Sequence, residues 1–192
     1  MEKHPDNSDL QGLPSEAVIS SEIVFKGKIW DVIKKTFNFH GKTLAREFIE
    51  HPGAVAVLAV DDQDQVLVIR QFRMPVNEYL LEIPAGLLDI KGESSLAAAK
   101  RELAEETDHQ AANWELLQVF HTSPGSSSET IHIFLATGIT QLAEKFLRQD
   151  EEAQMQLTKV PFSDLLAAVR DSKVKSPTLV VAVLALAAKR KF

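Results

Sequence analysis

The chain of 192 residues contains no cysteine. This absence excludes a disulfide scaffold, a thiolate nucleophile, a cysteine-ligated zinc site and an iron–sulfur cluster, so any metal ion must bind to oxygen or imidazole ligands. Basic residues are also in the minority, because 21 Lys and Arg stand against 27 Asp and Glu and give a formal net charge of −6. This balance argues against a general electrostatic grip on nucleic acid or anionic lipid and favours a small-molecule partner.

Long hydrophobic runs and export signals are missing as well. The longest apolar run, Leu179–Ala188, has ten residues, about half of the ~20 that a membrane-spanning helix needs. It is followed by basic residues that suit the end of a helix, so we expect it to dock on a core. Residues 1–16 mix prolines and a glycine with polar groups, which indicates a flexible N-terminal arm without a signal peptide. We therefore expect a cytoplasmic protein.

The hydrophobic pattern predicts an α/β (α+β) fold with a mixed β-sheet between helices. β-branched and aromatic runs in residues 17–50 predict three antiparallel strands joined by tight turns. Residues 54–60 and 65–72 flank an acidic turn and predict a hairpin of buried strands. The elements that follow do not repeat as regular βαβ units, which is why a mixed sheet is favoured. They are strands at 79–83, 114–121, 130–137 and 155–160 and helices at 94–107, 163–171 and 177–190.

The helix predicted at 94–107 carries two carboxylates on one flank of its apolar stripe. At 100° per residue, Leu96, Ala99 and Leu103 define the stripe, and Glu102 and Glu106 lie beside it. The two glutamates repel each other at i,i+4, and neither has a basic residue three or four positions away. A divalent cation would turn this repulsion into attraction, since Mg²⁺ combines one or two carboxylates with waters and substrate phosphates.

A solvated acidic face is the alternative interpretation of this helix. Glu105 fits that interpretation, because Arg101 lies four residues earlier and can neutralise it. Arg101 is also within reach of Glu93, which comes just before the helix. The spacing of Glu102 and Glu106 favours a metal half-site instead.

These residues resemble the Nudix box, which reads Gly, five residues, Glu, seven residues, Arg-Glu, an apolar residue, any residue, Glu-Glu, any residue, Gly. The matching positions are Gly86, Glu93 and the run Arg101–Glu106. The resemblance implies a loop–helix–loop that binds Mg²⁺, or alternatively Mn²⁺, and hydrolyses a nucleoside diphosphate linked to another moiety. It also implies a Nudix-type α/β/α sandwich in residues 51–192, preceded by the strands of residues 17–50.

The family's residue roles can be carried to this chain by motif position. Glu102 and Glu106 would bind the metal together with the main-chain carbonyl of Ala85. Glu105 would act as a further ligand or as a catalytic partner beside the metal. The remaining box residues are structural: Glu93 would pair with Arg101 to hold the turn.

Two positions depart from the box. Six residues instead of five separate Gly86 from Glu93, and a loop tolerates one more residue because closure entropy changes slowly with length. Asp108 occupies the place of the last glycine, at the helix exit where a left-handed backbone is usual. Aspartate is among the non-glycine residues that adopt this conformation, at some cost in free energy.

Further segments resemble the ADP-ribose pyrophosphatase group of the family. Pro124, sixteen residues beyond Asp108 and followed by Gly125, stands where that group has a proline. The runs 71–73, 81–86 and 46–51 are also similar to that group. The resemblance implies that these segments bind substrate, and the candidate residues are Arg73, Arg46, Glu82, Pro124 and Gly125.

The same resemblance places the catalytic base in the acidic loop of residues 149–153. In the group, a glutamate of this loop orients or deprotonates the attacking water. Alignment on the strand that follows favours Glu152, with Glu151 second. Taken without the resemblance, the loop is an ordinary solvated acidic segment.

Members of this group are typically dimers whose N-terminal strands cross between subunits. We therefore expect a homodimer with an adenine pocket, for which Phe25 and Trp30 are stacking candidates, although a core position is the favoured interpretation of both. The interpretation we favour is an Mg²⁺-dependent ADP-ribose diphosphatase. The alternatives are a Nudix pyrophosphatase for another nucleotide sugar or dinucleotide, and a non-catalytic ADP-ribose-binding module. The intact set of box glutamates argues against the last of these.

Overall fold

A computed structural model describes residues 12–148 and 154–191, which contain ten strands and three helices. The fold is mixed α and β, as the sequence predicts. The strands are β1 (Val18–Phe25), β2 (Asp31–Phe39), β3 (Lys42–Glu50), β4 (Ala54–Val60), β5 (Gln65–Arg73), β6 (Glu78–Glu82), β7 (Ala85–Leu87), β8 (His109–His121), β9 (Thr130–Gln141) and β10 (Gln156–Pro161). The helices are α1 (Ser95–Thr107), α2 (Phe162–Arg170) and α3 (Pro177–Arg190).

The chain divides into two compact units. The first comprises the residues up to His51 together with Ser123–Ser128, and the second comprises Pro52–Thr122 and the residues from Glu129 onward. The first unit is an antiparallel sheet in the order β1-β2-β3. The segment Ser123–Ser128, which is distant in sequence, is hydrogen-bonded to the end of β3. Ile49 N donates to Ser126 O at 2.9 Å, and Ser128 N donates to Ile49 O at 3.0 Å.

Most apolar side chains of this first unit are exposed. Every residue of β1 is exposed, and Phe25 and Trp30 keep 63% and 41% of their surface in solvent. The expectation that these two aromatics belong to a core is therefore wrong for the single chain. A three-stranded sheet is one layer, and residues 12–51 and 123–128 of its unit supply no second layer to cover them.

The second unit is an α/β/α sandwich around a seven-stranded mixed sheet. The central path runs β10-β5-β4-β9-β8, and β4 is parallel to β9 from Ala54↔Ile131 to Val60↔Thr137. Side chains of β4 alternate between the two faces, since successive residues of a strand point to opposite sides. One face packs on α1 and the other on α2 and α3. The predicted mixed sheet between helices is confirmed.

The predicted hairpin of β4 and β5 splays beyond its turn. The two strands are paired at Val60↔Val66, while further along β5 pairs with β6 and β4 pairs with β7. Sequence analysis did not predict β7. It lies on β4 with Ala56 opposite Ala85, and Val57 N donates to Pro84 O at 2.8 Å. The splay therefore places the start of the box on the central strand.

The helix α1 differs in detail from the prediction, whereas α3 agrees with it. The buried residues of α1 are Ala98, Ala99, Leu103, Glu106 and Thr107, whereas Leu96 is 36% exposed. The apolar stripe is therefore rotated toward the acidic flank, where Glu106 is buried and Glu102 is half-buried. The apolar run near the C-terminus forms α3 and docks on the sheet as predicted. Within the described ranges, no helix has both the length and the hydrophobicity to cross a membrane.

Candidate metal and substrate site

The box helix α1 is fixed at both ends. At its start, Ser94 Oγ accepts a hydrogen bond from Ala97 N at 3.2 Å, which satisfies one of the helix's free amides. At its end, Asp108 has φ 58° and ψ 34°, and its N–H donates to Ala104 O at 2.9 Å. The left-handed conformation that the sequence implied at this position is present. With both ends set, the register that aims Glu102 and Glu106 is set as well.

Glu102 lies against the backbone of Gly86. A Cβ atom built on this glycine would overlap the carboxylate carbon and Oε1 of Glu102 and would lie 2.6 Å from its Oε2. The Glu102 side chain is only 12% exposed. Glycine at this position therefore makes room for a carboxylate that is held close to β7.

Glu106 contacts the preceding residue of the same strand. Its Oε2 accepts a hydrogen bond from Ala85 N at 2.9 Å, and the residue is 7% exposed. Burial of a carboxylate is costly unless its oxygens have partners, and here the backbone supplies one. Glu102 and Glu106 thus converge on two consecutive residues, Ala85 and Gly86.

Arg101 connects the remaining box carboxylates. Its guanidinium forms a two-bond pair with Glu93, with Nε to Oε1 at 3.1 Å and Nη2 to Oε2 at 3.0 Å. Its Nη1 donates to Glu102 Oε1 at 2.6 Å and to Glu105 Oε2 at 3.1 Å. Glu102 therefore does have a basic partner, since Arg101 lies next to it in the sequence and not three or four positions away.

The ion pairs of Arg101 are reflected in its pKa and in that of Glu93. The hydrogen bond from Arg101 lowers the pKa of Glu93; partial burial opposes this shift, and the positive charge of Arg101 adds to it. The hydrogen bond to Glu93 in turn raises the pKa of Arg101, against desolvation and with help from Glu102 and Glu105. Both groups are thus charged at neutral pH and hold the loop before α1 to the helix.

The donor set suits a hard divalent cation that brings its own further ligands. In residues 12–148 and 154–191, no three acidic or histidine side chains are grouped as a preformed metal site. The carboxylates of Glu102 and Glu106, which lie against Gly86 and Ala85 respectively, form an oxygen-lined half-site beside this backbone. This arrangement fits an ion that completes its coordination with waters and substrate phosphates.

Arg73 and Glu82, both candidates for substrate binding, are paired with each other. Arg73 Nε donates to Glu82 Oε1 at 2.9 Å and Nη2 donates to Oε2 at 2.8 Å. Gln71 Nε2 also donates to Glu82 Oε2 at 3.1 Å. The Glu82 side chain is 10% exposed and that of Arg73 is 43% exposed. The fork therefore holds the Arg73 guanidinium in a fixed, solvent-accessible position at the β5–β6 pair.

Arg46, Pro124 and Gly125 line one cavity of about 400 Å³ in the first unit, together with Glu47, Phe48, Ser127 and Ser128. The cavity exists because the segment Ser123–Ser128 is hydrogen-bonded to β3. Its turn is closed by bonds from Ser126 N and Ser127 N to Ser123 O, both 2.9 Å. Substrate candidates from two distant parts of the sequence, Arg46 and the pair Pro124–Gly125, are thus neighbours, and the guanidinium of Arg46 belongs to the cavity wall.

The C-terminal end of α1 holds a residue that sequence analysis missed. Arg148 Nη2 donates to Asp108 Oδ2 at 2.6 Å, and its Nε donates to Glu105 O at 3.1 Å. The only sequence signal is indirect: a carboxylate that replaces a glycine at the end of a helix requires a donor when it is buried. The two candidates for the catalytic base, Glu151 and Glu152, lie outside the described residues.

Comparisons with known proteins agree with this geometry. The NUDIX domain model matches residues 50–178. An ADP-ribose pyrophosphatase of Bacillus subtilis (strain 168) is 39% identical over 160 residues, which cover 83% of this chain and 85% of the relative. An ADP-ribose pyrophosphatase of Mycobacterium tuberculosis (strain ATCC 25618 / H37Rv) is 34% identical over 88% of this chain and 81% of its own.

Two further comparisons add a second activity name and the fold. A methanol dehydrogenase activator of Bacillus methanolicus is 33% identical over 88% of this chain and 90% of its own length. A crystal structure described as an ADP compounds hydrolase superposes with a TM-score of 0.75 at 23% identity, covering 91% of this chain and 93% of that one. Box, helix register and α/β/α sandwich thus agree with the sequence matches, and the chain belongs to the Nudix hydrolase family.

Proposed function

We propose that this Nudix hydrolase cleaves the pyrophosphate bond of ADP-ribose, with Mg²⁺ as its metal, and that the products are AMP and ribose 5-phosphate. The observation that supports the chemistry is the convergence of Glu102 and Glu106 on Ala85 and Gly86. The substrate is supported by the two ADP-ribose pyrophosphatases that match most of the chain.

The reaction is a displacement at phosphorus by water. The water oxygen forms a bond to one phosphorus, the bridging P–O bond breaks, and the bridging oxygen leaves with the other phosphate. A bound divalent cation supplies positive charge to the phosphate oxygens and so lowers the cost of bringing a nucleophile to an anionic centre. Glu102, Glu106 and the carbonyl of Ala85 would hold this ion, with Glu105 beside them.

The other candidate residues have roles that follow from their charge. Arg73, held in place by Glu82, would bind a phosphate oxygen through the exposed part of its guanidinium. Arg46 would provide a second cation at the cavity that Pro124 and Gly125 line. Glu152, or alternatively Glu151, would accept the proton of the attacking water.

A homodimer and a cytoplasmic location belong to the same proposal. The exposed β1 supports the dimer, since Ile23 and Phe25 leave 56% and 63% of their surface in solvent on the single chain. Apolar surface of this kind on a β-sheet is typical of a protein–protein interface. A second copy of the chain is the occupant that we propose for it.

The test is a substrate panel with purified protein. Phosphate release, coupled to a phosphatase, is measured from ADP-ribose, ADP-glucose, NADH and diadenosine polyphosphates with Mg²⁺ or Mn²⁺. We expect kcat/KM to be highest for ADP-ribose with Mg²⁺ by about tenfold or more. Glu106→Gln protein, prepared in parallel, controls for contaminating phosphatases.

The same panel separates the alternatives. Preference for another nucleotide sugar or for a dinucleotide would agree with the proposed pyrophosphatase chemistry but would contradict ADP-ribose as the substrate. Tight binding of ADP-ribose without turnover of any substrate would support a binding module. Equal rates on all substrates would contradict the proposed specificity.

A further inference from the structure

Asp108 stands where a glycine would be free of strain. Its φ of 58° lies in the left-handed region, which disfavours residues with a Cβ. Its side chain is nevertheless only 8% exposed, and both carboxylate oxygens are used. Oδ1 accepts from Phe146 N at 2.8 Å, and Oδ2 accepts from Arg148 Nη2 at 2.6 Å. The residue therefore connects the end of α1 to a segment about forty positions later in the sequence.

Arg148 makes the same connection from the other side. Its Nε donates to Glu105 O, a carbonyl of the last turn of α1 that has no partner within the helix. The last turn of α1 contains no basic residue of its own, so Arg148 also places a positive charge at the negative end of the helix. A fourth bond, from Leu142 N to Asp108 O at 2.8 Å, fixes the start of the segment.

The segment of residues 142–148 is therefore tied to the helix that carries Glu102 and Glu106. In the sequence, Glu151 and Glu152 follow Arg148 by three and four residues. A catalytic base must reach its water within about 2.6–3.2 Å, and a misplacement of about 1 Å can lower the rate about a hundredfold. A connection just before the base thus affects the rate without contacting the substrate.

We propose that Asp108 and Arg148 are a pair of positioning residues that fix residues 142–148, the segment that precedes the acidic loop in the sequence, relative to the metal-binding helix. This proposal rests on the proposed function, because it needs a base in the acidic loop. It gives the aspartate that replaces the last glycine of the box a role in turnover. If Asp108 had a purely structural role, it would only end the helix and would not affect turnover.

The test compares Asp108→Gly, Asp108→Asn and Arg148→Gln. Asp108→Gly restores the box residue and removes the left-handed strain, which offsets part of the stability lost with the two hydrogen bonds. Asp108→Asn keeps an acceptor for Phe146 N and removes the charge that pairs with Arg148. We expect kcat to fall tenfold or more in Asp108→Gly and Arg148→Gln, with KM and the Mg²⁺ requirement within about twofold of wild type. The double variant should lose no more kcat than the single variant whose kcat is lower.

Asp64→Asn is the matched control. Asp64 is another aspartate with positive φ, 56°, and it pairs with an arginine, Arg190, at 2.8 Å. Its side chain is 51% exposed and it belongs to the β4–β5 turn. Removing its charge should leave kcat unchanged.

Hydrogen exchange provides a readout that does not depend on activity. Peptides that contain residues 142–148 should exchange faster in Asp108→Gly and Arg148→Gln, while peptides from α3 should not change. All variants are assayed on whichever panel substrate the wild type cleaves best, so a wrong substrate does not affect the comparison. Wild-type kcat in Asp108→Gly would overturn the proposal, and so would a loss of kcat that is matched by a higher Mg²⁺ requirement and lower thermal stability.

Discussion

The carboxylate of Glu102 occupies the space that a side chain at Gly86 would need. The backbone of Gly86 is not in the left-handed region, so the reason for glycine here is space and not conformation. The displaced group would be the flexible end of a glutamate, which can move at little cost to the fold. Stability and activity should therefore respond differently to a change at this position.

We expect Gly86→Ala to lower kcat/KM at least tenfold while the free energy of unfolding changes by less than ~1 kcal/mol. The added methyl group pushes Glu102 away from residue 86 and weakens the metal half-site. Activity as a function of Mg²⁺ concentration, together with urea denaturation, separates the two effects. In a Gly86→Ala/Glu102→Gln double variant, the alanine should cause no additional loss; a fully additive loss would contradict this explanation.

Glu106→Gln should lower turnover by a factor of about 10²–10³ and leave the fold intact. Glutamine keeps an oxygen that can accept from Ala85 N, but it lacks the charge that a divalent ion requires. Glu115→Gln is the matched control, because the Glu115 side chain is 54% exposed, is paired with Lys189 and lies outside the proposed site. Single-turnover rates at saturating Mg²⁺ decide the matter: near-normal turnover in Glu106→Gln would exclude a ligand role.

The ion pairs of Arg101 lead us to expect that metal binding affects the stability of the fold. In Arg101→Gln, Glu93, Glu102 and Glu105 lose their shared cation, and we expect the metal-free protein to lose ~2 kcal/mol of stability. Mg²⁺ should then restore part of the loss, because it replaces positive charge near Glu102. The measurement is the melting temperature with EDTA and with Mg²⁺. An equal Mg²⁺-induced rise in the variant and in wild type would argue against this link.

Local sequence patterns predicted the elements better than they predicted the contacts between them. Capping and alanine content gave α1, and β-branched alternation gave the strands, because these signals act within a few residues. β7 was missed because its three residues pair with β4, which is distant in sequence. The core-facing side of α1 was misplaced at Leu96 because burial depends on the sheet that the helix meets.

The candidate site follows the same division. The spacing of the box residues indicated Glu102 and Glu106 correctly as neighbours on one helix face, and the bond between Glu93 and Arg101 lies within one loop–helix motif. Arg148 could not be found in this way, since its partner Asp108 is forty residues earlier and no motif joins them. Long-range ion pairs depend on the tertiary fold.

The proposed dimer predicts the effect of a charge on β1. Ile23→Glu should yield a monomer in analytical ultracentrifugation, because a buried, unpaired carboxylate at an interface costs several kcal/mol. Leu184→Glu is the matched control: it makes the same type of change at a residue of α3 that is 46% exposed, compared with 56% for Ile23. A dimer that withstands the change at Ile23 would reject β1 as the interface.

The contacts of Asp61 lead us to expect that the stability of the fold depends on pH. Its Oδ1 accepts from Gln63 N and Gln65 N, both at 3.0 Å, and its Oδ2 pairs with Lys159 at 2.8 Å. Burial, the largest single influence, raises the pKa of Asp61, but these hydrogen bonds and the charge of Lys159 together hold the pKa below its ordinary value. The folded state therefore favours the ionised carboxylate more strongly than the unfolded state does.

The sign of the effect follows from this difference. The stabilisation by Asp61 is complete above the unfolded-state pKa of ~3.9 and is lost as the pH falls through the lower folded-state pKa. Asp61→Asn should thus be ~1 kcal/mol less stable than wild type at pH 7, and the gap should narrow below pH 4. Urea denaturation from pH 7 to pH 3 measures it, with Asp62→Asn as the exposed control. A gap that stays constant over this range would mean that packing of the side chain, and not its charge, stabilises the turn.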